Sequence, residues 1–169
     1  MPSADCGLLG VKRRENPPMN NTEIERKFLV VSDAFKEEAI KKQEIAQGYL
    51  SKDEARTVRV RIKDDKAFLT IKSDAKENSI ARFEWEREID PSDAQELLKL
   101  CLPGIIIKTR YIIPTDNNRK WEVDVFHSGK LEGKVLAELE LESENEPYER
   151  PAWLGEEVTG QPEYYNMNM

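Results

Sequence analysis

Two carboxylates and a lysine alternate with other residues in one stretch of the sequence. Glu23, Glu25 and Lys27 are each separated by a single residue. Because successive side chains of a β-strand point to opposite faces, these three would share one face of a strand. Carboxylates are ligands that hard divalent cations prefer, and a neighbouring lysine suits a phosphate group. Taken alone, the stretch favours an amphipathic strand with its charges in water. Metal and phosphate chemistry becomes the better interpretation only if the pattern is repeated elsewhere in the chain.

The same alternation recurs along the chain. This repetition favours one site built from several strands over an isolated strand whose charges face water. The recurring basic residues are Lys27, Arg59, Arg61, Lys72, Lys108 and Arg110, and the recurring acidic ones are Glu23, Glu25, Glu84, Glu86, Glu122, Asp124, Glu138 and Glu140. Basic side chains of these types neutralise phosphate oxygens. So many carboxylates facing one cavity would raise one another's pKa values, and Mg²⁺ or Mn²⁺ would relieve the repulsion. Together they describe a metal–polyphosphate site, although a salt-bridged sheet surface would show a similar pattern.

The alternation also predicts the elements that hold these side chains. Eight stretches are typical of strands, and six of them carry charges on alternate positions with apolar residues between. In a β-sandwich the charged face of each strand would be exposed to water. In a closed barrel the same face would line the lumen. Helices are predicted over residues 32–43 and 91–100, which open on helix-starting residues. Two helices would cover only part of a barrel, so a homodimer is one way to bury the remaining apolar surface.

Length and composition narrow the class of protein. The 169 residues suit one domain. Because 35% of the residues are charged, many charged side chains must lie somewhere other than on an ordinary solvent-exposed surface. No apolar run approaches the ~18 residues of a membrane span, so we expect no membrane partner and a cytoplasmic protein. The net charge of −7 argues against a nucleic-acid partner but not against a small anionic ligand. Residues 1–20 lack an apolar period, which predicts a disordered tail before a domain over 21–169.

The ordered set of charged motifs resembles that of the CYTH superfamily, the triphosphate tunnel metalloenzymes. Glu23-Ile24-Glu25-Arg26-Lys27 fits the ExExK signature of that family. The companion motifs follow in the family's order: Arg59 with Arg61, Lys72, Glu84 with Glu86, Lys108-Thr109-Arg110, Asp124, and Glu138 with Glu140. The resemblance runs from about Thr22 to Tyr165. Residues 47–50 and 155–159 look like the short bacterial branch, which resembles inorganic triphosphatases.

The resemblance implies a mainly β (α+β) fold, an eight-stranded antiparallel closed β-barrel or tunnel with a charged lumen and a few outer helices. It implies that the metal ligands are Glu23, Glu25, Glu138 and Glu140, with Glu84, Glu86 and Asp124 supporting. It implies that the phosphate clamps are Lys27, Arg59, Arg61, Lys72 and Arg110. Lys108 and Tyr49 match a pair proposed to activate the attacking water in short bacterial members. The family often ends in a longer helix that plugs the tunnel, whereas this sequence stops at Met169, soon after Tyr165.

The expected function is metal-dependent hydrolysis of inorganic tripolyphosphate to pyrophosphate and phosphate. The same lumen could serve a class IV type adenylyl cyclase or a nucleoside or thiamine triphosphatase, but the sequence contains no recognisable pocket for a base. A non-catalytic polyphosphate-binding barrel would need the basic residues without the metal carboxylates. Lys108 could act as a base only if a fraction of it is neutral; otherwise it is one more phosphate clamp.

Overall fold

The computed structural model describes residues 22–75 and 77–168, and β-strands dominate them. The strands are β1 Thr22–Val30, β2 Lys41–Ser51, β3 Thr57–Lys63, β4 Lys66–Ala75, β5 Ala81–Ile89, β6 Ile106–Pro114, β7 Lys120–Phe126, β8 Val135–Glu140 and β9 Leu154–Glu157. The α-helices are α1 Phe35–Glu38 and α2 Pro91–Leu100. Short 3-10 turns span Glu54–Arg56, Pro162–Tyr164 and Asn166–Asn168.

Eight antiparallel strands close into a barrel, which confirms the predicted fold class. Their order around the barrel is β5-β4-β3-β2-β6-β7-β8-β1, and β1 also pairs with β5 to complete the circle. β1 pairs with β5 over residues 22–24 and with β8 over residues 25–29. The ninth strand, β9, pairs with the end of β1 at Phe28 and Val30.

The outside of the barrel carries the main apolar core. Outward-facing Phe28 of β1 meets Trp121 of β7 with ring centroids 5.6 Å apart, and Trp121 lies 5.8 Å from Trp153. Phe35 of α1 packs against Trp153 in the same cluster. Edge-to-face aromatic contacts of this kind add to the stabilisation from buried apolar area. The alternation along β1 and β7 thus places aromatic side chains outside and charged ones inside.

A second apolar cluster lies at one end of the lumen. It consists of Tyr49, Ile106, Phe126, Leu131 and Leu136, with Tyr164 and Tyr165 of the C-terminal segment packed against it. Phe126 lies opposite Lys108 where β6 pairs with β7. The cluster therefore follows directly on the charged residues of the barrel interior and separates them from water at that end.

The helix predicted over residues 32–43 is wrong in its extent. Only Phe35–Glu38 is helical, and β2 begins at Lys41 to pair with β6. Phe35 is the buried residue of α1, whereas Ile40 is 74% exposed. A longer helix would therefore have lacked an apolar face to bury, and most helix stability in proteins comes from such burial.

The helix predicted over residues 91–100 is confirmed. Asp90 caps it by accepting a hydrogen bond from the Ser92 backbone N–H over 2.8 Å, and Pro91 occupies its first turn. Within the described part of the chain, no helix is long and apolar enough to cross a membrane. The tail predicted over residues 1–20 lies outside the described residues.

Candidate active site

The barrel interior encloses a cavity of about 680 Å³. All but two of the predicted site residues line it: Glu23, Glu25, Lys27, Tyr49, Arg59, Arg61, Lys72, Glu84, Glu86, Arg110, Glu138 and Glu140. The two that do not, Lys108 and Asp124, lie in the barrel interior but are shielded from the cavity. The predicted residues that line the cavity are therefore brought to one place by seven different strands.

Strand register explains how acidic and basic residues from distant parts of the sequence meet. Glu25 lies directly opposite Glu140, and Lys27 lies opposite Glu138, where β1 pairs with β8. Residues directly opposite in an antiparallel pair share a face, so all of these side chains point inward. The two facing glutamates form the acidic part of the lumen.

Several lumen carboxylates are neutralised by lysines and arginines. Lys72 Nζ lies 2.8 Å from Glu23 Oε2, and Lys27 Nζ lies 3.2 Å from Glu138 Oε1. Arg59 reaches Glu86 at 3.4 Å. Burial strengthens such pairs, because the surrounding protein screens their charges less than water does. The lumen therefore carries a network of alternating charge rather than separate acidic and basic halves.

The pairing divides the carboxylates into two classes, which corrects the expectation that crowding would raise all their pKa values. Burial would raise the pKa of Glu23, but the adjacent Lys72 lowers it to about 2. Burial and the neighbouring Glu138 and Glu23 charges raise the pKa of Glu25 to about 8. Burial and Glu23 raise the pKa of Glu84 to about 7, despite Lys72. Glu25 and Glu84 thus hold a proton below their raised pKa values, whereas Glu23 is ionised.

Lys108 and Asp124 form a fully buried ion pair beyond the cavity. Lys108 Nζ donates to Asp124 Oδ2 over 2.6 Å and lies 5.3 Å from the centre of the Phe126 ring. Arg110 Nε donates to Asp124 Oδ1 over 2.7 Å. Burial lowers the pKa of Lys108 to about 7, even though Asp124 opposes the shift, while the nearby Arg110 and Arg61 charges add to it. Desolvation therefore outweighs the carboxylate's attraction at Lys108.

The chemistry of the acidic residues fits a hard divalent cation. Burial and the Glu23 and Glu122 charges raise the pKa of Glu140, as burial and neighbouring acids raise that of Glu25. A cation between facing carboxylates would remove this repulsion. Among the described residues no three acidic side chains already surround one point as ligands. Glu23 and Glu138 instead contact lysines, so ligation would require those side chains to exchange partners.

The cavity also includes residues that the predicted site lacked. They are Thr22, Thr57, Lys63, Thr70, Arg82, Asn118, Arg119, Lys120, Leu141, Glu142, Tyr165 and Asn166. Glu122, one of the recurring acidic residues of the sequence, also lines the cavity. Alternation with Glu84 and Glu86 is a signal that could have identified Arg82, which lies 3.5 Å from Glu23. No periodicity points to Asn118 or Arg119, since a turn rather than a strand brings them to the cavity.

His127, the only histidine in the sequence, lies outside this site. It is exposed, and its Nε2 lies 2.7 Å from Thr109 Oγ1. Thr109 is adjacent to Lys108 in β6 and so points to the opposite face. The histidine is therefore separated from the lumen by the barrel wall.

Two relatives share the sequence over most of its length. An inorganic triphosphatase from Acetivibrio thermocellus is 44% identical over 148 residues, which cover 87% of this chain and 92% of the relative. An inorganic triphosphatase from Nitrosomonas europaea is 34% identical over 148 residues, which cover 86% of this chain and 94% of the relative. Both similarities extend across the strands that supply the lumen residues.

A solved structure and a family model agree with this similarity. The crystal structure of the inorganic triphosphatase NE1496 matches with a TM-score of 0.59 and 34% identity, covering 86% of this chain and 91% of that chain. The family model for the CYTH domain matches residues 21–165, which include every strand of the barrel. The charged barrel described above is thus part of a protein that belongs to the CYTH domain family.

Proposed function

We propose that this chain is an inorganic triphosphatase that hydrolyses tripolyphosphate to pyrophosphate and phosphate inside the barrel. The observation that carries the proposal is one cavity of about 680 Å³ in which lysines and arginines face carboxylates around a closed sheet. Such a ring of cations suits a short polyanion. The relatives named inorganic triphosphatase, 44% and 34% identical to this chain, support the choice of substrate.

The basic residues of the lumen would bind the phosphate groups. These residues are Lys27, Arg59, Arg61, Lys72 and Arg110, and all of them line the cavity. Negative charge shifts towards the leaving pyrophosphate as the terminal phosphorus is attacked. Cations fixed around the chain of phosphates would therefore stabilise the transition state as well as the bound substrate.

A divalent cation, Mg²⁺ or Mn²⁺, would be held by the acidic residues. The proposed ligands are Glu23, Glu25, Glu138 and Glu140, supported by Glu84, Glu86 and Asp124. When bound, such a cation polarises phosphoryl oxygens and offsets their charge. Lys72 and Lys27 contact two of these glutamates, so they would exchange the carboxylates for phosphate oxygens when the site fills.

Lys108 and Tyr49 would handle the proton of the attacking water. A lysine whose pKa is lowered to about 7 is partly neutral at mildly alkaline pH and can then accept a proton. Tyr49 lines the cavity, whereas Lys108 is buried behind it. We therefore assign contact with the water to Tyr49 and uptake of the proton to Lys108. The alternative is that Lys108 is a further phosphate clamp.

A phosphate-release assay tests the proposal. Tripolyphosphate, ATP and thiamine triphosphate are each incubated with the full chain, with and without Mg²⁺ or Mn²⁺. We expect the fastest release from tripolyphosphate, and only when a metal is present. Faster release from ATP or thiamine triphosphate, or formation of cyclic AMP from ATP, would overturn the substrate assignment. Binding of tripolyphosphate without release under any condition would instead indicate a polyphosphate-binding barrel.

A further inference from the structure

Gln47 is the neutral side chain that holds the buried guanidinium of Arg61. It is 0% exposed and lies directly opposite Arg61 where β2 pairs with β3. Arg61 Nε donates to Gln47 Oε1 over 2.9 Å. Because this arginine nitrogen can only donate, the atom that faces it has to be the amide oxygen. The orientation of the Gln47 amide is therefore fixed by chemistry.

Arg61 differs from the other basic residues of the predicted site in its partner. Each of the others contacts a carboxylate: Lys27 with Glu138, Arg59 with Glu86, Lys72 with Glu23, and Lys108 and Arg110 with Asp124. For Arg61, no ion pair with a carboxylate occurs among residues 22–75 and 77–168. Its hydrogen-bond partner there is the uncharged Gln47.

The difference has an electrostatic consequence. A guanidinium bound by a carboxylate has much of its charge offset, and a phosphate must compete with that carboxylate. A guanidinium bound by an amide keeps its charge for an incoming anion. Burial and the charges of Arg59 and Arg110 lower the pKa of Arg61 only to about 10, so it stays charged at neutral pH. We propose that Gln47 is a positioning residue, which orients Arg61 for phosphate binding without neutralising it.

The other end of the Gln47 amide supports this assignment. Gln47 Nε2 is buried and has no hydrogen-bond acceptor within the described part of the protein. A buried donor without a protein acceptor is destabilising, so an apolar side chain of the same shape would serve packing better. The presence of an amide is therefore explained by the oxygen that it offers to Arg61.

Two variants of similar shape separate this assignment from a role in packing. The inference rests on the proposed phosphate-binding role of Arg61. Gln47→Glu keeps an oxygen for Arg61 and adds a negative charge, whereas Gln47→Met removes the oxygen and adds no charge. If Gln47 serves only the packing of the sheet, the two variants, which are similar in shape, should change Kd to a similar extent. If Gln47 preserves the charge of Arg61, Gln47→Glu is the more damaging change.

The primary readout is the Kd of tripolyphosphate, measured by calorimetry with a chelator present so that binding is separated from turnover. We expect Gln47→Glu to raise Kd by roughly tenfold or more, the size expected when a charge-assisted contact is lost, and Gln47→Met to raise it less. KM should follow Kd, with a smaller change in kcat. The result that overturns the inference is binding weakened by Gln47→Met at least as much as by Gln47→Glu.

A charge-matched control comes from the same face of β2. Gln43 lies opposite Arg110, which already contacts Asp124. Gln43→Glu adds the same charge to the barrel but not beside Arg61. We expect it to raise Kd less than Gln47→Glu does. An equal or larger effect would mean that net charge alone governs binding, and the inference would fail.

A double-mutant cycle keeps the test decisive if Gln47→Glu does not fold. Gln47→Met is combined with Arg61→Ala, and Kd is measured for all four proteins. We expect Gln47→Met to weaken binding in the wild-type background and to have no further effect when Arg61 is absent. Equal effects in both backgrounds, including none, overturn the inference. A failure of the proposed function looks different: the wild-type protein would release no phosphate, or Arg61→Ala would leave Kd unchanged.

Discussion

Lys72 Nζ lies 2.8 Å from Glu23 Oε2, so a proposed phosphate ligand is paired with a proposed metal ligand. Lys27 and Glu138 repeat the relationship at 3.2 Å. A cation that binds the glutamates would release these lysines, and a phosphate would attract the lysines away from the glutamates. Metal and tripolyphosphate should therefore promote each other's binding, and the coupling has to be equal in both directions.

Removing Lys72 should separate the two binding events. We expect Lys72→Met to bind Mn²⁺ more tightly than the wild-type protein does when tripolyphosphate is absent, because the lysine no longer competes for Glu23. The KM for tripolyphosphate should rise by roughly tenfold, since a charged contact to phosphate is lost. Electron paramagnetic resonance of free Mn²⁺ measures the first effect. Lys66→Met, at an exposed position in the same strand, is the control, and unchanged Mn²⁺ affinity in Lys72→Met would contradict the interpretation.

Glu25 should be essential for turnover. Glu25→Gln keeps the shape of the side chain but removes a proposed metal ligand, so we expect kcat to fall by about 100-fold or more at saturating Mg²⁺. The same change at Glu138 should have a similar effect, whereas Glu96→Gln on the exposed face of α2 should have none. Full activity of the Glu25→Gln protein in a phosphate-release assay would remove Glu25 from the metal site.

Glu25 should also make stability depend on pH when a chelator removes divalent metal. Its pKa in the folded protein is about 8, against a usual value of 4.5. The folded state therefore holds an extra proton between these values, and stability should decline as pH rises from 4.5 to 8. Glu25→Gln should weaken this decline and raise the free energy of unfolding by on the order of 1 kcal/mol at pH 8.5. Urea unfolding at several pH values measures the effect. If the free energy of unfolding of the Glu25→Gln protein depends on pH as that of the wild-type protein does, the raised pKa of Glu25 is contradicted.

Arg59 should contribute to both substrate binding and chemistry. We expect Arg59→Ala to raise KM and to lower kcat, because the guanidinium would contact phosphate oxygens whose charge increases in the transition state. The combined loss in kcat/KM should correspond to about 2 kcal/mol or more. Arg56→Ala, which removes an exposed arginine just before β3, provides the comparison. Wild-type kcat/KM in the Arg59→Ala protein would refute the proposed clamp.

Lys108 should control the pH dependence of kcat. Its neutral form predominates above a pKa of about 7, so a base at this position predicts that kcat rises with pH through that value to an alkaline optimum. Lys108→Ala should lower kcat by about 100-fold or more, and Tyr49→Phe should lower it less. Lys108→Arg keeps the charge but cannot readily deprotonate. Near-normal kcat in Lys108→Arg would reassign Lys108 as a phosphate clamp.

The sequence alone was sufficient to group the lumen residues on one face of each strand, because strand alternation is a local property. Glu23, Glu25 and Lys27 share a face in any extended strand, whatever that strand pairs with. The same alternation puts Phe28 and Trp121 on the outer face, where they meet. Local signals also predicted α2, since Asp90 and Pro91 fix its first turn independently of the barrel.

Tertiary structure decided what each lumen residue contacts. The pKa of Glu23 is lowered and that of Glu25 is raised, although the two stand on one strand and one face, because Lys72 reaches only the first at ion-pair distance. The pairing of Gln47 with Arg61 depends likewise on the register between β2 and β3. Register, closure and burial arise from contacts between residues distant in sequence, and they set the local electrostatic field that alternation cannot reveal.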